Sequence, residues 1–246
     1  MSVEKRPHGR VHRGNGAKAL MDSTYWLAKA IVKPFMAGWF KWSIEGLENI
    51  PREGAALLAF NHIAYMDPLA AAYAVDRAGR KPRFLGKAEL FQDKRISWIL
   101  RGAGQIEVKR GTPEAPMALD KAVDALKRGE IVVVFPEGTI TTDPELNPMQ
   151  AKTGIVRLSL LTDVPVIPAA VWGTANVWPK GFAASWRPRQ DLCVRIGDPI
   201  KVDGDIDRPE TWSKAGDQIM DAIGVLVASL RPAVPDRRRR PKKAAA

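Results

Sequence analysis

A single cysteine, Cys193, occurs in the 246 residues, and only three histidines. One cysteine excludes an internal disulfide and any cysteine-based zinc site; it suits a reducing compartment and a small core position. His8 and His12 lie in a basic N-terminus without apolar periodicity, which leaves His62 as the one imidazole in the part expected to fold. A lone histidine cannot build a typical zinc site, so no metal is expected. Glycine-rich phosphate-loop and dinucleotide patterns are missing, as is a G-x-S-x-G nucleophile elbow, so no cofactor and no serine nucleophile are expected. No apolar run reaches the roughly 18 residues of a conventional spanning helix. Residues 1–20 also lack the apolar core of a secretory signal.

Charge is plentiful but uneven. Residues 1–21 hold five Lys/Arg against Glu4, and residues 232–246 hold six against Asp236, so +9 of the net +11 sits at the two ends. Such runs read as a flexible basic arm and a disordered basic tail that attract polyanions, either nucleic acid or an anionic membrane leaflet. The ends carry no aromatics among their cations and the body is nearly neutral, which disfavours nucleic acid as a partner. Residues 22–42 differ sharply from the arm before them. Trp26, Phe35, Trp39, Phe40 and Trp42 crowd together, with Lys29, Lys33 and Lys41 at spacings that put them on one helical face. An amphipathic element of this kind suits the membrane interface, with Pro34 expected to bend it or divide it into two short helices. The alternative is a helix packed on the core with its lysines in water.

From residue 43 to 231 the pattern alternates between strands and helices. Ala55–Phe60 and Ile131–Phe135 are unbroken apolar runs, as buried central strands are. Arg83–Lys87, Gln105–Gly111, Val164–Val171 and Leu192–Ile196 read as further strands, with Pro165 and Pro168 placing the third of these at an edge or bulge. Helical spacing marks residues 68–78, 89–100, 116–127, 153–161 and 212–230, while residues 174–190 form a Trp- and Pro-containing loop. The expected fold is a single α/β domain with a largely parallel or mixed central sheet flanked by helices.

In such sheets sites lie beyond the carboxyl ends of the strands. His62, Lys87, Arg110 and Glu137 each stand just past a predicted strand. Asp67 follows His62 by five residues. A carboxylate on one ring nitrogen fixes the tautomer that leaves the other free to take a proton, so the pair suits general-base work. The plainer reading makes His62 a structural residue and Asp67 a helix N-cap before Pro68. Without a nucleophile elbow, the base would activate the hydroxyl of an acyl acceptor for direct attack on an acyl carbonyl. Lys87, Arg110 and Lys152 are cations able to hold a phosphate. Gly138 allows close backbone approach, and Glu137 either accepts a hydrogen bond from an acceptor hydroxyl or braces the loop.

Four blocks in order resemble the PlsC-type glycerolipid acyltransferases (1-acylglycerol-3-phosphate acyltransferases). They are Asn61-His62 through Asp67, Gly104 to Arg110, Phe135-Pro136-Glu137-Gly138-Thr139, and Val164 to Pro168. The resemblance implies that His62 is the base and Asp67 its orienting partner. It implies that Arg110 contacts the phosphate of the acyl acceptor, that the Glu137-Gly138-Thr139 block, like Asn61, lies on the acceptor side, and that the fourth block concerns the acyl chain. It further implies an acyl-CoA or acyl carrier protein donor, a lysophosphatidic acid acceptor, phosphatidic acid as product, and a membrane-docking N-terminal helical element. Peripheral attachment to the cytoplasmic face of the cell membrane is the matching expectation. One departure stands out: where the third block commonly continues with Arg, this chain has Ile140. Glycerol 3-phosphate or a glycolipid hydroxyl is therefore the competing acceptor, and a non-catalytic membrane-binding relative the competing class.

Overall fold

The computed structural model describes residues 14–94, 96–109 and 115–237. In order these form α1 (Gly14–Trp39), β1 (Phe40–Glu45), β2 (Ala56–Phe60), α2 (Asp67–Arg77), β3 (Pro82–Lys87), α3 (Ala88–Gln92), α4 (Ser97–Gly102) and β4 (Ile106–Val108). There follow α5 (Ala115–Lys127), β5 (Ile131–Val134), α6 (Gly154–Thr162), β6 (Val166–Trp172), α7 (Thr174–Val177), β7 (Gln190–Ile196) and α8 (Pro209–Leu230). The seven strands make one sheet in the order β1-β7-β6-β2-β5-β3-β4, and only the β6–β7 pair is antiparallel. The expected mixed α/β sheet flanked by helices is thus the observed architecture.

The burial pattern explains the layering. Every residue of β2, β5 and β6 is buried, so these strands need cover on both faces. α2 packs on β3, β6 and β7, while α8 packs on β2, β6 and β7 and meets α6, which in turn meets α5. The buried positions of α8, Ala215, Ile219, Met220, Ile223, Val227 and Leu230, recur at helical spacing and form a single apolar stripe.

Several expectations need correction. Residues 14–21, read as part of a flexible arm, belong to α1, which continues through Pro34 instead of dividing there. The missing N–H is tolerated because both flanking turns are anchored. Lys29 and Lys33 pair with Asp76 of α2, at 2.8 Å for Lys33, and Met36 beyond the proline is fully buried. Those lysines therefore turn toward α2, not outward along a lipid-facing side, and Lys41 lies in β1. The exposed stripe of α1 is instead apolar, with Leu27, Ile31, Phe35 and Trp39 at four-residue intervals. Residues 40–42, assigned to the interfacial segment, open β1.

β6 is interior, so of the edge or bulge that its prolines suggested, the edge is excluded. Pro165 precedes the strand, and the Pro168 carbonyl accepts from Gly197 N–H just past the end of β7. The absent proline N–H thus faces a place where the β6–β7 ladder has stopped, and no bond is lost. One helix expected over 89–100 is two short ones, α3 and α4. At the other end, Val234 is buried and its carbonyl accepts from Trp172 Nε1, so the folded part extends into the expected tail. No helix among the described residues is long and apolar enough to cross a membrane.

Candidate active site

β2, β3, β4 and β5 run parallel, so their carboxyl ends open on one edge of the sheet. After β2 the chain turns into α2, toward β3. After β5 it runs through α6 toward β6 on the other side. Two adjacent strands whose connections diverge leave a crevice between them. His62 leaves one lip of that crevice and Glu137 the other.

His62 is held from all sides but one. Its Nδ1–H donates to Asp67 Oδ2 at 2.8 Å, and Phe135 stacks on the ring with centroids 4.4 Å apart. The side chain keeps 17% exposure, while that of Asp67 keeps none. The same Oδ2 also accepts the backbone N–H groups of Ile63 at 2.5 Å and Ala64 at 2.8 Å. Asp67 is not an N-cap in function: it is the first residue of α2, and its carboxylate reaches back to the loop that carries His62. The tight loop after β2 thus curls around one oxygen. With Nδ1 committed, Nε2 is the ring atom left to accept a proton.

Asn61, expected on the side of the acyl acceptor, has a different position. It is fully buried, its Nδ2 donates to the Val171 carbonyl at 3.1 Å, and its Oδ1 accepts the Val171 N–H at 2.8 Å. Its amide closes the β2–β6 ladder where backbone pairing ends, which fixes the base of the His62 loop.

Glu137 is 2% exposed and braces the backbone. One oxygen accepts the His62 N–H at 2.8 Å and the other the Met149 N–H at 3.1 Å. Burial pushes its carboxyl from the usual 4.5 up to about 7, against the lowering pull of these two N–H groups. Gly138 takes φ +74° and its N–H donates to the Phe135 carbonyl, so glycine is required by the turn itself. Thr139 is half-buried beside it, and Ile140 is buried. Next, Thr141 N–H donates to the His62 carbonyl at 2.7 Å. The 141–150 loop is therefore tied near both ends to the segments that carry His62 and Glu137. Arg231, just past α8, holds its middle through Asn147 Oδ1. Sequence reasoning missed Phe135 as the shelf for the imidazole, although it is an aromatic that ends an aliphatic run just before Glu137. It also missed Thr141, Met149 and Val171, whose backbone groups leave no trace in residue type.

Lys87 is exposed at the last position of β3, and Lys152 is exposed with its backbone N–H donating to the Pro136 carbonyl at 2.8 Å. Both therefore stand on the edge that carries His62. Arg110 lies outside the described residues.

An Acyltransferase family profile matches residues 41–172, a span that holds all four blocks. The chain is 29% identical over 159 residues to a chloroplastic 1-acyl-sn-glycerol-3-phosphate acyltransferase of Brassica napus, covering 64% of this chain and 44% of that one. With the Bacillus subtilis 1-acyl-sn-glycerol-3-phosphate acyltransferase it shares 29% identity over 129 residues, 52% of this chain and 61% of the relative. The chain thus spans less than half the length of the plant relative and under two thirds of the bacterial one. Among solved structures, the 1-acyl-sn-glycerophosphate (LPA) acyltransferase PlsC from Thermotoga maritima has the same fold. Its TM-score is 0.62 at 24% identity, over 88% of this chain and 83% of that one. With the profile match covering more than half of its residues, this chain belongs to the Acyltransferase family.

Proposed function

We propose that the chain transfers a fatty acyl group from acyl-CoA to the free hydroxyl of lysophosphatidic acid, giving phosphatidic acid for phospholipid synthesis. The observation that carries this reading is His62 at the crevice mouth, its Nδ1 held by the buried Asp67 and its backbone N–H by Glu137. In the proposed step His62 Nε2 takes the hydroxyl proton as the acceptor oxygen attacks the thioester carbonyl. The carbon–sulfur bond then breaks and the proton passes to the departing thiolate. Asp67 stabilises the imidazolium formed between these events. Lys87 and Lys152, exposed on the same edge, are the proposed ligands of the acceptor phosphate, together with Arg110 from the sequence pattern. Thr139, half-buried beside the Glu137 turn, is a further proposed contact for the acceptor. An acyl carrier protein thioester would serve the same chemistry, and no cofactor enters it.

The apolar stripe of α1 supports a peripheral position on a membrane, where an amphiphilic acceptor resides, and the cytoplasmic face of the cell membrane is the side this reading assigns. Replacing His62 by Ala should lower turnover of acyl-CoA with lysophosphatidic acid by about 10²–10⁴-fold without changing the thermal midpoint much. Near-normal turnover would reject the base. A second reading, with glycerol 3-phosphate or a glycolipid hydroxyl as acceptor, is favoured by Ile140, which buries an alkyl group where a phosphate-binding Arg is common. Competition among these acceptors with one acyl-CoA, resolved by product mass, separates the two. A dominant glycolipid product would overturn the lysophosphatidic acid assignment.

A further inference from the structure

The loop between α7 and β7 is used by nothing described so far, yet it carries a distinctive surface. Trp178, Phe182 and Trp186 are exposed, Phe182 at 57%, and so are Lys180, Arg187 and Arg189. No Asp or Glu occurs between residues 164 and 190. Exposed indole and phenyl rings interleaved with cations, with no acid among them, match the boundary between headgroups and acyl chains.

The loop is joined to two other regions. Trp186 packs against Phe35 of α1 with ring centroids 6.0 Å apart, and Arg189 N–H donates to the Trp39 carbonyl at 2.6 Å. The loop therefore extends the apolar stripe of α1 into one aromatic surface built from segments far apart in sequence. At its other end, Trp178 lies 5.5 Å from Tyr65, its carbonyl accepts the Tyr65 N–H at 3.1 Å, and Pro179 bridges to Ala64. Ala64 is one of the two residues whose N–H groups hold Asp67. The loop is thus bonded directly to the catalytic turn.

We propose that the Trp178–Arg189 loop is a second membrane-contact element, which seats on an anionic bilayer beside α1 and brings the crevice mouth to the lipid surface. The proposal rests on the peripheral-membrane reading above and extends it from a single helix to a two-part surface. The rings enter the interface, while Lys180, Arg187 and Arg189 face lipid phosphates. Docking at this loop places Tyr65 and His62 at the plane from which an amphiphilic acceptor is drawn.

Co-sedimentation of the full chain with phosphatidylcholine vesicles, and with equimolar phosphatidylcholine–phosphatidylglycerol vesicles, tests it. The variant F182S/W186S should lose about tenfold or more in partitioning to both kinds of vesicle. K180E/R187E, which leaves the rings in place, should lose binding to the anionic vesicles alone. Val225→Ser removes a still more exposed apolar group on α8 and should change nothing. Circular dichroism and the thermal midpoint verify the fold of each variant. Unchanged partitioning of both loop variants would overturn the proposal. So would vesicle binding that persists in F182S/W186S while a dimer becomes a monomer in sedimentation velocity, which would assign the patch to a second copy of the chain. Turnover separates this inference from the enzymatic one. Loop variants that fail on vesicle-borne acceptor but turn over a soluble short-chain acceptor normally support docking. Vesicle effects in a chain that acylates no acceptor leave docking standing and remove the enzyme reading.

Discussion

Two regions of this molecule invert the usual distribution of side chains, in opposite ways. Around His62, polar groups are buried: Asn61 and Asp67 are fully enclosed and Glu137 nearly so. On the face formed by α1 and the Trp178–Arg189 loop, large apolar groups are exposed. The cost of the first arrangement is offset by hydrogen bonds, since most of its buried oxygens accept a backbone or ring N–H. The second is compensated only in part within the described residues, by ring contacts such as Trp186 with Phe35, because exposed rings gain fully only when something covers them. The difference teaches that the polar cluster is largely satisfied within the chain, with Asp67 Oδ1 left without a hydrogen-bond partner, whereas the aromatic face is the one proposed to meet a further surface.

The sharpest way to break the buried cluster is Asp67→Ala. Three N–H donors would lose their acceptor, at about 1–3 kcal/mol for each buried donor left unsatisfied. Both stability, by urea denaturation, and turnover should collapse. A variant with wild-type stability would show that the loop after β2 finds other partners, and that the contrast between the two regions is weaker than drawn.

Glu137 offers a subtler probe. Its carboxyl is raised from 4.5 to about 7, so the folded state binds this proton more tightly than the unfolded chain. The stability it contributes is fully present below the unfolded value and is lost as pH rises through about 7. Urea midpoints across that window should therefore decline with pH in the wild type and decline less in Glu137→Gln. Equal slopes would mean that the site solvates this group more than its burial implies.

The smallest effect belongs to the join between α1 and α2. Burial opposes the ionisation of Asp76, but Lys29 and Lys33 prevail and hold its carboxyl below the usual carboxylate range. Its contribution is present above the ordinary carboxylate value and lost as pH falls through the lowered one. Because the Lys33 side chain keeps 43% exposure, water screens the pair in part, and Asp76→Asn should cost about 1 kcal/mol near neutral pH. Should it also reduce vesicle binding, α1 orientation and membrane contact would be coupled, which sharpens the comparison of the two regions.

Much of the edge that carries the site was legible before any coordinates. Unbroken apolar runs identified β2 and β5 as central, and polar residues just past them marked one rim. The pairing of His62 with Asp67 follows from five intervening steps of chain, a distance that a tight loop spans. What was not legible involved partners remote in sequence. Asn61 meets Val171 across 110 residues, and Glu137 meets a backbone N–H at Met149, where residue type carries no signal. The proline of β6 was read as the mark of an edge or a bulge because its missing donor is local, while the end of the β7 ladder beside it is not. The lysines of α1 were read as the polar side of an interfacial helix because their helical spacing was visible and Asp76 was not.

Sequence alone thus determined most of the strands, the burial of β2 and β5, and which residues leave the strand ends, because hydrophobic periodicity and turn chemistry act over a few residues. The tertiary structure alone decided which face of α1 looks outward, that the 178–189 loop completes an aromatic surface with it, and that Asn61 and Glu137 brace rather than face the crevice. Those outcomes depend on which distant groups satisfy buried donors and acceptors, and that is settled only when the sheet order brings them together.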